Sequence, residues 1–152
     1  MSSRFYSARW IVPITSSVVK DGCVEVVGDL IVAVHAQPPA GVQIVDLGET
    51  ALMPGLINAH THLEFSNLPG PIGDPTAAFD QWIAEVVQYR RSQAEDPAVS
   101  MSEVIESGLS ESANSAVVAV GEITTADGLT DCYLASDTKA VSYTHLTLPT
   151  KA

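Results

Sequence analysis

The sequence is short of basic residues, of cysteine and of long apolar runs. Its 7 Lys and Arg face 18 Asp and Glu among 152 residues, and the net charge of −11 argues against binding to nucleic acid or to an anionic membrane. Two cysteines do not make a disulfide framework; they favour a reducing cytoplasm and two small core residues. No stretch reaches the roughly 18 apolar residues of a membrane span. Hydrophobic residues still make up 46 %, enough to build a core.

Residues 1–50 are predicted to form a small β module. The runs RWIVPI and CVEVVGDLIVAVH alternate as strands do, and Gly28–Asp29 is a turn signal between two of them. His35 ends one of these strands and is predicted to be a surface or hydrogen-bonded histidine rather than a ligand. The buried face is expected to consist largely of four apolar side chains, Val24, Val26, Ile31 and Val34.

The remainder of the chain alternates apolar strands with helices. ALMPGLINA and AVVAVGEI are nearly continuous apolar runs, which are typical of strands covered on both faces of a parallel sheet. Strands that alternate with helices indicate an α/β fold. Two such strands do not complete a sheet with both faces covered, so the fold is expected to be unfinished.

Two amphipathic helices are predicted between these strands. Asp74, followed by proline, is expected to begin the first helix, which should end near Arg90. The second should follow Asp96 and end at Asn114 in a left-handed conformation. The apolar stripe of the first helix consists of Phe79, Trp82, Ile83, Val86 and Val87. That of the second consists of Met101, Val104, Ile105, Gly108 and Leu109.

The C-terminal residues VSYTHLTLPT are expected to have a different origin. The DNA string GTC TCT TAT ACA CAT CTG ACG CTG CCG ACG translates to these residues and resembles the adapter used in transposase-based sequencing libraries. Residues 141–152 are therefore interpreted as translated adapter sequence, and His145 is excluded as a ligand. The natural reading frame is expected to continue past Ala140, which makes the chain an N-terminal fragment. A genuine β-rich terminus is the alternative.

The stretch ALMPGLINAHTHLEF contains two histidines separated by one threonine. Because successive side chains of a strand point to opposite faces, His60 and His62 share a face, about 7 Å apart. Two imidazoles at this spacing can bind one divalent ion, and imidazole suits zinc, iron or nickel. An isolated H-x-H pattern also occurs by chance, so the spacing alone leaves both a metal site and an ordinary strand end open.

The residues around this motif resemble the amidohydrolase superfamily of metal-dependent hydrolases. LMPGLINAHTHLEFS follows that family's PG-hydrophobic-hydrophobic-(D/N)-x-H-x-H signature, and the resemblance covers about residues 5–125. It implies the N-terminal part of a TIM-type (β/α)8 barrel, preceded by a small β-sandwich and truncated after about two barrel strands. Residues 1–50 would be the sandwich, completed by C-terminal strands that the chain lacks, and residues 51–140 the first β/α units.

The resemblance implies a divalent metal, zinc before iron, with His60 and His62 as ligands. Further ligands in the family come from strands five and six, with an aspartate from strand eight, and deaminase members add a glutamate near strand five as a proton shuttle. The catalytic residues are therefore expected beyond the truncation, and this chain by itself is expected to be inactive.

Four further polar residues are candidates for the barrel mouth. Glu64 lies two residues beyond His62, where relatives often contact the substrate, and a glutamate there favours cationic or hydrogen-bond-donating substrates. A solvated loop carboxylate is the alternative. Ser66 and Asn67 are expected to line the same mouth. Glu122 ends the second strand, where a substrate contact, a supporting partner and a simple strand cap all stay open.

The parent protein is expected to be a cytoplasmic enzyme in which a metal-activated hydroxide attacks a C–N bond other than a peptide bond. HTHLEFS followed by FDQWIAEVV is most similar to the chlorohydrolase and cytosine/adenosine-deaminase branch. That similarity implies deamination of an amino-heterocycle such as an adenine-containing nucleoside, which is a small-molecule substrate. Whether the parent is a homo-oligomer stays open. Two alternatives remain: a cyclic amide hydrolase similar to imidazolonepropionase or dihydroorotase, and a non-catalytic β-rich binding module.

Overall fold

The computed structural model describes residues 2–124 and 130–143, and the chain divides into two units, Met1–Gly55 and Leu56–Ala152. The predicted boundary after residue 50 lies earlier than the observed one. The reason is that the apolar run ALMPGLINA is split: its first two residues pair with the N-terminal sheet, and the residues after its Pro-Gly turn begin the second unit.

The described part of the first unit forms one five-stranded sheet. Its central strand β1 (Ser3–Ile11) is antiparallel to β2 (Val19–Val27), which is antiparallel to β3 (Leu30–His35). On the other side of β1 lie two short parallel strands, β4 (Ile44–Asp46) and β5 (Ala51–Leu52). That this sheet is one layer of a β-sandwich stays a prediction.

The core of this sheet is smaller than predicted. Val24 is buried, as expected, and packs with Ala8 and Ile11. The prediction is wrong for Ile31 and Val34, which are 65 % and 40 % exposed. Both lie on β3, the edge strand, and line an apolar groove of about 420 Å³ that no second layer of the same unit covers among the described residues.

Three local predictions for this unit are confirmed. Gly28 adopts a left-handed φ of 61° in the turn between β2 and β3, which a residue without a side chain allows at no steric cost. The His35 ring nitrogen Nε2 lies 3.0 Å from the Glu25 carboxylate, so that histidine is hydrogen-bonded. Cys23, like Cys132 in the second unit, is a buried free thiol.

The second unit is built on a parallel sheet of three described strands, β6 (Leu56–Thr61), β7 (Val117–Ile123) and β8 (Lys139–Tyr143), in that order. The predicted α/β class is confirmed. Only two strands were expected; the third pairs in continuous register with β7 and includes residues 141–143 of the segment interpreted as adapter sequence. Residues 144–152, including His145, lie outside the described part.

Helix α1 (Phe79–Glu95) differs from its prediction at both ends. It does not begin at Asp74, because that carboxylate accepts hydrogen bonds from the backbone N–H and the hydroxyl of Thr76 and closes a separate turn. It also continues past Arg90 to Glu95. Of its predicted apolar stripe only Val86 is buried.

Helix α2 (Met101–Asn114) agrees with its prediction more closely. Ser100 caps it by accepting a hydrogen bond from the backbone N–H of Glu103. Its predicted face is buried at Val104, Ile105, Gly108 and Leu109. The left-handed residue that follows the helix is Ala116 rather than Asn114. A third, short helix, α3 (Thr130–Ala135), precedes β8. None of the helices within the described ranges has the length and apolar character to cross a membrane.

Candidate metal centre

His60 and His62 lie at the carboxyl end of β6, where parallel barrel strands carry their sites. The two ring centroids are 5.2 Å apart and the ring planes are inclined at 66°. Two imidazoles that share a tetrahedral zinc ion, with bonds of about 2.0–2.1 Å, have their centroids about 5 Å apart. The separation of the two rings therefore fits one shared ion.

The His62 ring is held in one tautomer. Its Nδ1 atom lies 3.1 Å from the carbonyl oxygen of Ile123, and a carbonyl only accepts, so Nδ1 carries the hydrogen. In the neutral ring this makes Nε2 the basic nitrogen. Burial, followed by the nearby charge of Arg90, lowers the pKa of His62 below its ordinary value. Both effects favour the neutral imidazole that a metal ion requires.

Glu122 accepts hydrogen bonds from the residues on both sides of His62. Its side chain is only 1 % exposed, and its Oε2 accepts a 2.6 Å hydrogen bond from the Thr61 hydroxyl. The backbone N–H of Leu63 donates to both carboxylate oxygens, at 3.0 and 3.1 Å. Of the roles left open by the sequence, these contacts favour a supporting partner. Burial raises the pKa of Glu122 although these hydrogen bonds oppose the shift.

The raised pKa of Glu122 predicts a specific pH dependence of stability. A carboxyl whose pKa is higher in the folded chain than its usual 4.5 contributes stability that is complete below that value and is lost as the pH rises through the raised pKa. The free energy of unfolding, measured relative to the Glu122→Gln variant in urea, is therefore expected to fall as the pH rises above about 4.5 and then to level off. If the free energy of unfolding of the unmodified chain instead rose with pH relative to that of Glu122→Gln, the assignment would be contradicted, because the other titrating groups are common to both proteins.

Glu64 is buried and paired with a cation. It is 6 % exposed, and its Oε1 accepts hydrogen bonds from Nε and Nη2 of Arg90, at 3.0 and 2.6 Å. The same guanidinium lies over the Phe65 ring, 5.0 Å from its centroid. The alternative of a solvated loop carboxylate is therefore wrong. A direct contact of Glu64 with substrate stays a prediction.

Arg90 is the residue that sequence reasoning missed at this site. The sequence pattern indicates Arg90 only as a residue of the helix end. A signal was present, because Arg90 follows the buried Val86 by one helical turn and so shares the face of α1 that packs inward.

The segment after the histidines is also attached to α1 at Asn67. The Asn67 side-chain oxygen accepts from the Tyr89 hydroxyl at 3.0 Å, and its amide donates to Gln93 at 2.9 Å. Ser66 lies against α2 instead, close to Gly108. Hydrogen bonds to α1 and close packing against α2 therefore fix the path of the chain that leaves the histidine pair.

Tyr133 of α3 is a second residue that the sequence did not indicate. Burial, with the charge of Glu122 as the next cause, raises the pKa of its hydroxyl to about 12. The hydroxyl therefore stays protonated at neutral pH.

Across residues 2–124 and 130–143, no group of three or more His, Cys, Asp or Glu side chains is arranged to hold a metal ion. Within that part of the chain, the candidate centre has two imidazole ligands.

Stretches of the chain match two curated enzymes. It is 36 % identical over 63 residues to 5-methylthioadenosine/S-adenosylhomocysteine deaminase of Nitratidesulfovibrio vulgaris, covering 38 % of this chain and 14 % of that enzyme. It is 40 % identical over 57 residues to allantoinase of Arabidopsis thaliana, covering 34 % and 11 %. No family model matches the chain.

Solved structures match almost the whole chain. Helicobacter pylori aminofutalosine deaminase, in complex with methylthio-coformycin, superposes with a TM-score of 0.75 and 22 % identity over 93 % of this chain. Guanine deaminase from C. acetobutylicum, with bound guanine, has a TM-score of 0.74 and 13 % identity over 93 %. Atrazine chlorohydrolase from Arthrobacter aurescens, complexed with zinc, has a TM-score of 0.68 and 20 % identity over 86 %. The resemblance to the amidohydrolase superfamily is confirmed.

The chain corresponds to a limited part of these amidohydrolases. It covers 35 %, 36 % and 32 % of the three solved structures, and a smaller share of the two curated relatives. What it shares with the solved amidohydrolases is the fold of about a third of their length, and His60 and His62 end the first parallel strand of that portion.

Proposed function

We propose that this chain carries the first two metal ligands of an amidohydrolase that hydrolyses C–N bonds other than peptide bonds. The observation that carries the proposal is the pair of imidazoles at the carboxyl end of β6, with ring centroids 5.2 Å apart. His60 and His62 would hold a divalent ion, zinc before iron. When bound, such an ion supplies Lewis acidity and lowers the pKa of water. The zinc in the atrazine chlorohydrolase structure supports this choice.

The proposed reaction of the parent protein is deamination of an amino-heterocycle such as an adenine-containing nucleoside. The names of three matching proteins support it, because they are deaminases of methylthioadenosine or S-adenosylhomocysteine, of aminofutalosine and of guanine. We assign Glu64 to the substrate side of the site, where its fixed carboxylate would accept a hydrogen bond from an amino-heterocycle. Allantoinase supports a second candidate, a cyclic amide hydrolase. Release of ammonia from aminopurines distinguishes the two.

The three parallel strands are proposed to begin a (β/α)8 barrel, and the parent to be a cytoplasmic protein with a small-molecule substrate, either alone or as a homo-oligomer. The 152-residue chain is proposed to bind metal without turnover. The reason is that its described residues offer two imidazoles, whereas a catalytic zinc site uses three protein ligands.

Metal binding by the chain is the first test. Isothermal titration with Co²⁺ and Zn²⁺ is expected to show one site, and His60→Asn and His62→Asn are each expected to weaken it at least about tenfold by removing one of two ligands. His35→Asn is the matched control, because His35 is bound to Glu25 in the other unit. Equal losses in all three variants, or none in the first two, would contradict the proposed site and favour a non-catalytic binding module.

A further inference from the structure

Two acceptors lie close to the single N–H of the His62 ring. The Nδ1 atom is 3.1 Å from the carbonyl oxygen of Ile123 and 3.8 Å from Oε1 of Glu64, and Nη2 of Arg90 lies 3.5 Å from the same Nδ1 atom. The same Oε1 receives both hydrogen bonds from Arg90. The orientation of the ring therefore depends on which oxygen receives its hydrogen.

We propose that Arg90 is a positioning residue that holds the Glu64 carboxylate away from His62, so that the imidazole keeps its bond to Ile123. In that orientation the ring stands 5.2 Å from the His60 ring, the separation that fits a shared ion. The inference rests on the metal role proposed above for the two histidines.

The strength of the two acceptors explains why a restraint is needed. A hydrogen bond to a carboxylate is roughly twice as strong as one to a neutral carbonyl, so an unrestrained Glu64 would win the competition for the ring N–H. Arg90 satisfies Oε1 with two donors, and its contact with the Phe65 ring fixes the guanidinium. Without Arg90 a buried carboxylate would lose its cation, which is costly, and the nearby ring N–H is a replacement partner.

Removal of Arg90 should therefore turn the ring toward Glu64 and move its other nitrogen away from the position shared with His60. Arg90→Gln is expected to weaken Co²⁺ binding about tenfold, the lower end of the losses seen when a partner of a metal ligand is removed. The double variant Glu64→Gln/Arg90→Gln should recover to within about threefold of the unmodified chain, because a neutral amide competes weakly for the ring hydrogen.

The double variant separates this role from a structural one. If Arg90 acted only by packing on the Phe65 ring, removal of Glu64 as well would leave Co²⁺ binding as weak as in the single variant, or weaker. Arg91→Gln is the matched control, since Arg91 is an exposed neighbour on the same helix and should bind Co²⁺ as the unmodified chain does.

Nitrogen-15 spectra of the imidazole rings give a second measurement that needs no metal, with His62 assigned from the His62→Asn variant. Arg90→Gln should shift the Nδ1 resonance of His62, and the double variant should return it. Unchanged Co²⁺ affinity together with an unchanged resonance in Arg90→Gln would overturn the proposal. If the unmodified chain binds no Co²⁺, the metal role fails, and the Nδ1 resonance alone decides whether Arg90 positions the ring.

Discussion

Gly121→Ala is expected to lower the free energy of unfolding of the Leu56–Ala152 unit by about 3 kcal/mol, the upper part of the usual range for overpacking. A Cβ at this position would overlap the carbonyl oxygen of Ala59 and lie 2.9 Å from its carbonyl carbon. These are backbone atoms of the neighbouring strand, so the strands themselves must separate. The pairing of β6 with β7 is irregular between Asn58 and Thr61, and Gly121 permits the close approach there.

The measurement is urea unfolding followed by Trp82 fluorescence, in a Trp10→Phe background so that the signal reports on the second unit alone. Gly70→Ala is the matched control, because a Cβ at Gly70 would meet no atom within 4 Å. Co²⁺ affinity should fall with stability in Gly121→Ala, because Ala59 directly precedes His60. Equal stability of Gly121→Ala and Gly70→Ala would contradict the close approach of β6 to β7 at Gly121.

Glu122→Ala is expected to cost about 3 kcal/mol, because it leaves the buried Leu63 N–H without its acceptor and opens a cavity beside Thr61. Glu122→Gln should cost less than about 1.5 kcal/mol, since the amide oxygen can still accept from Leu63 and the volume is conserved. The carboxylate joins the two residues that flank His62, so its removal should also loosen the candidate ligand.

Urea unfolding in the same Trp10→Phe background measures the difference between the two variants, and hydrogen exchange at the Leu63 amide measures the local loosening. That amide is expected to exchange faster in Glu122→Ala than in Glu122→Gln, by more than the change in global stability explains. Equal stability of the two variants would mean that the accepted hydrogen bonds contribute little to holding this strand end.

The local elements were largely predictable from the sequence. The turn at Gly28, the buried face of helix α2 and the apolar strand β7 were predicted because the period of apolar residues and a turn residue specify them within a short window. The start of α1 was not, because the Asp74 side chain can cap a helix or close a turn, and it does the latter. The predicted burial of the apolar faces of α1 and β3 was wrong for most of their side chains, because periodicity shows which side chains share a face but not what covers that face.

The sequence by itself determined the histidine pair: an apolar strand that ends in H-x-H places two imidazoles on one face whatever surrounds them. Only the tertiary structure decided what holds that pair. Glu122 reaches Thr61 across 61 residues and Arg90 reaches Glu64 across 26, and these contacts depend on the strand register and on how α1 packs. Neither follows from a local pattern, because a register shift of one residue would turn Glu122 to the other face of the sheet.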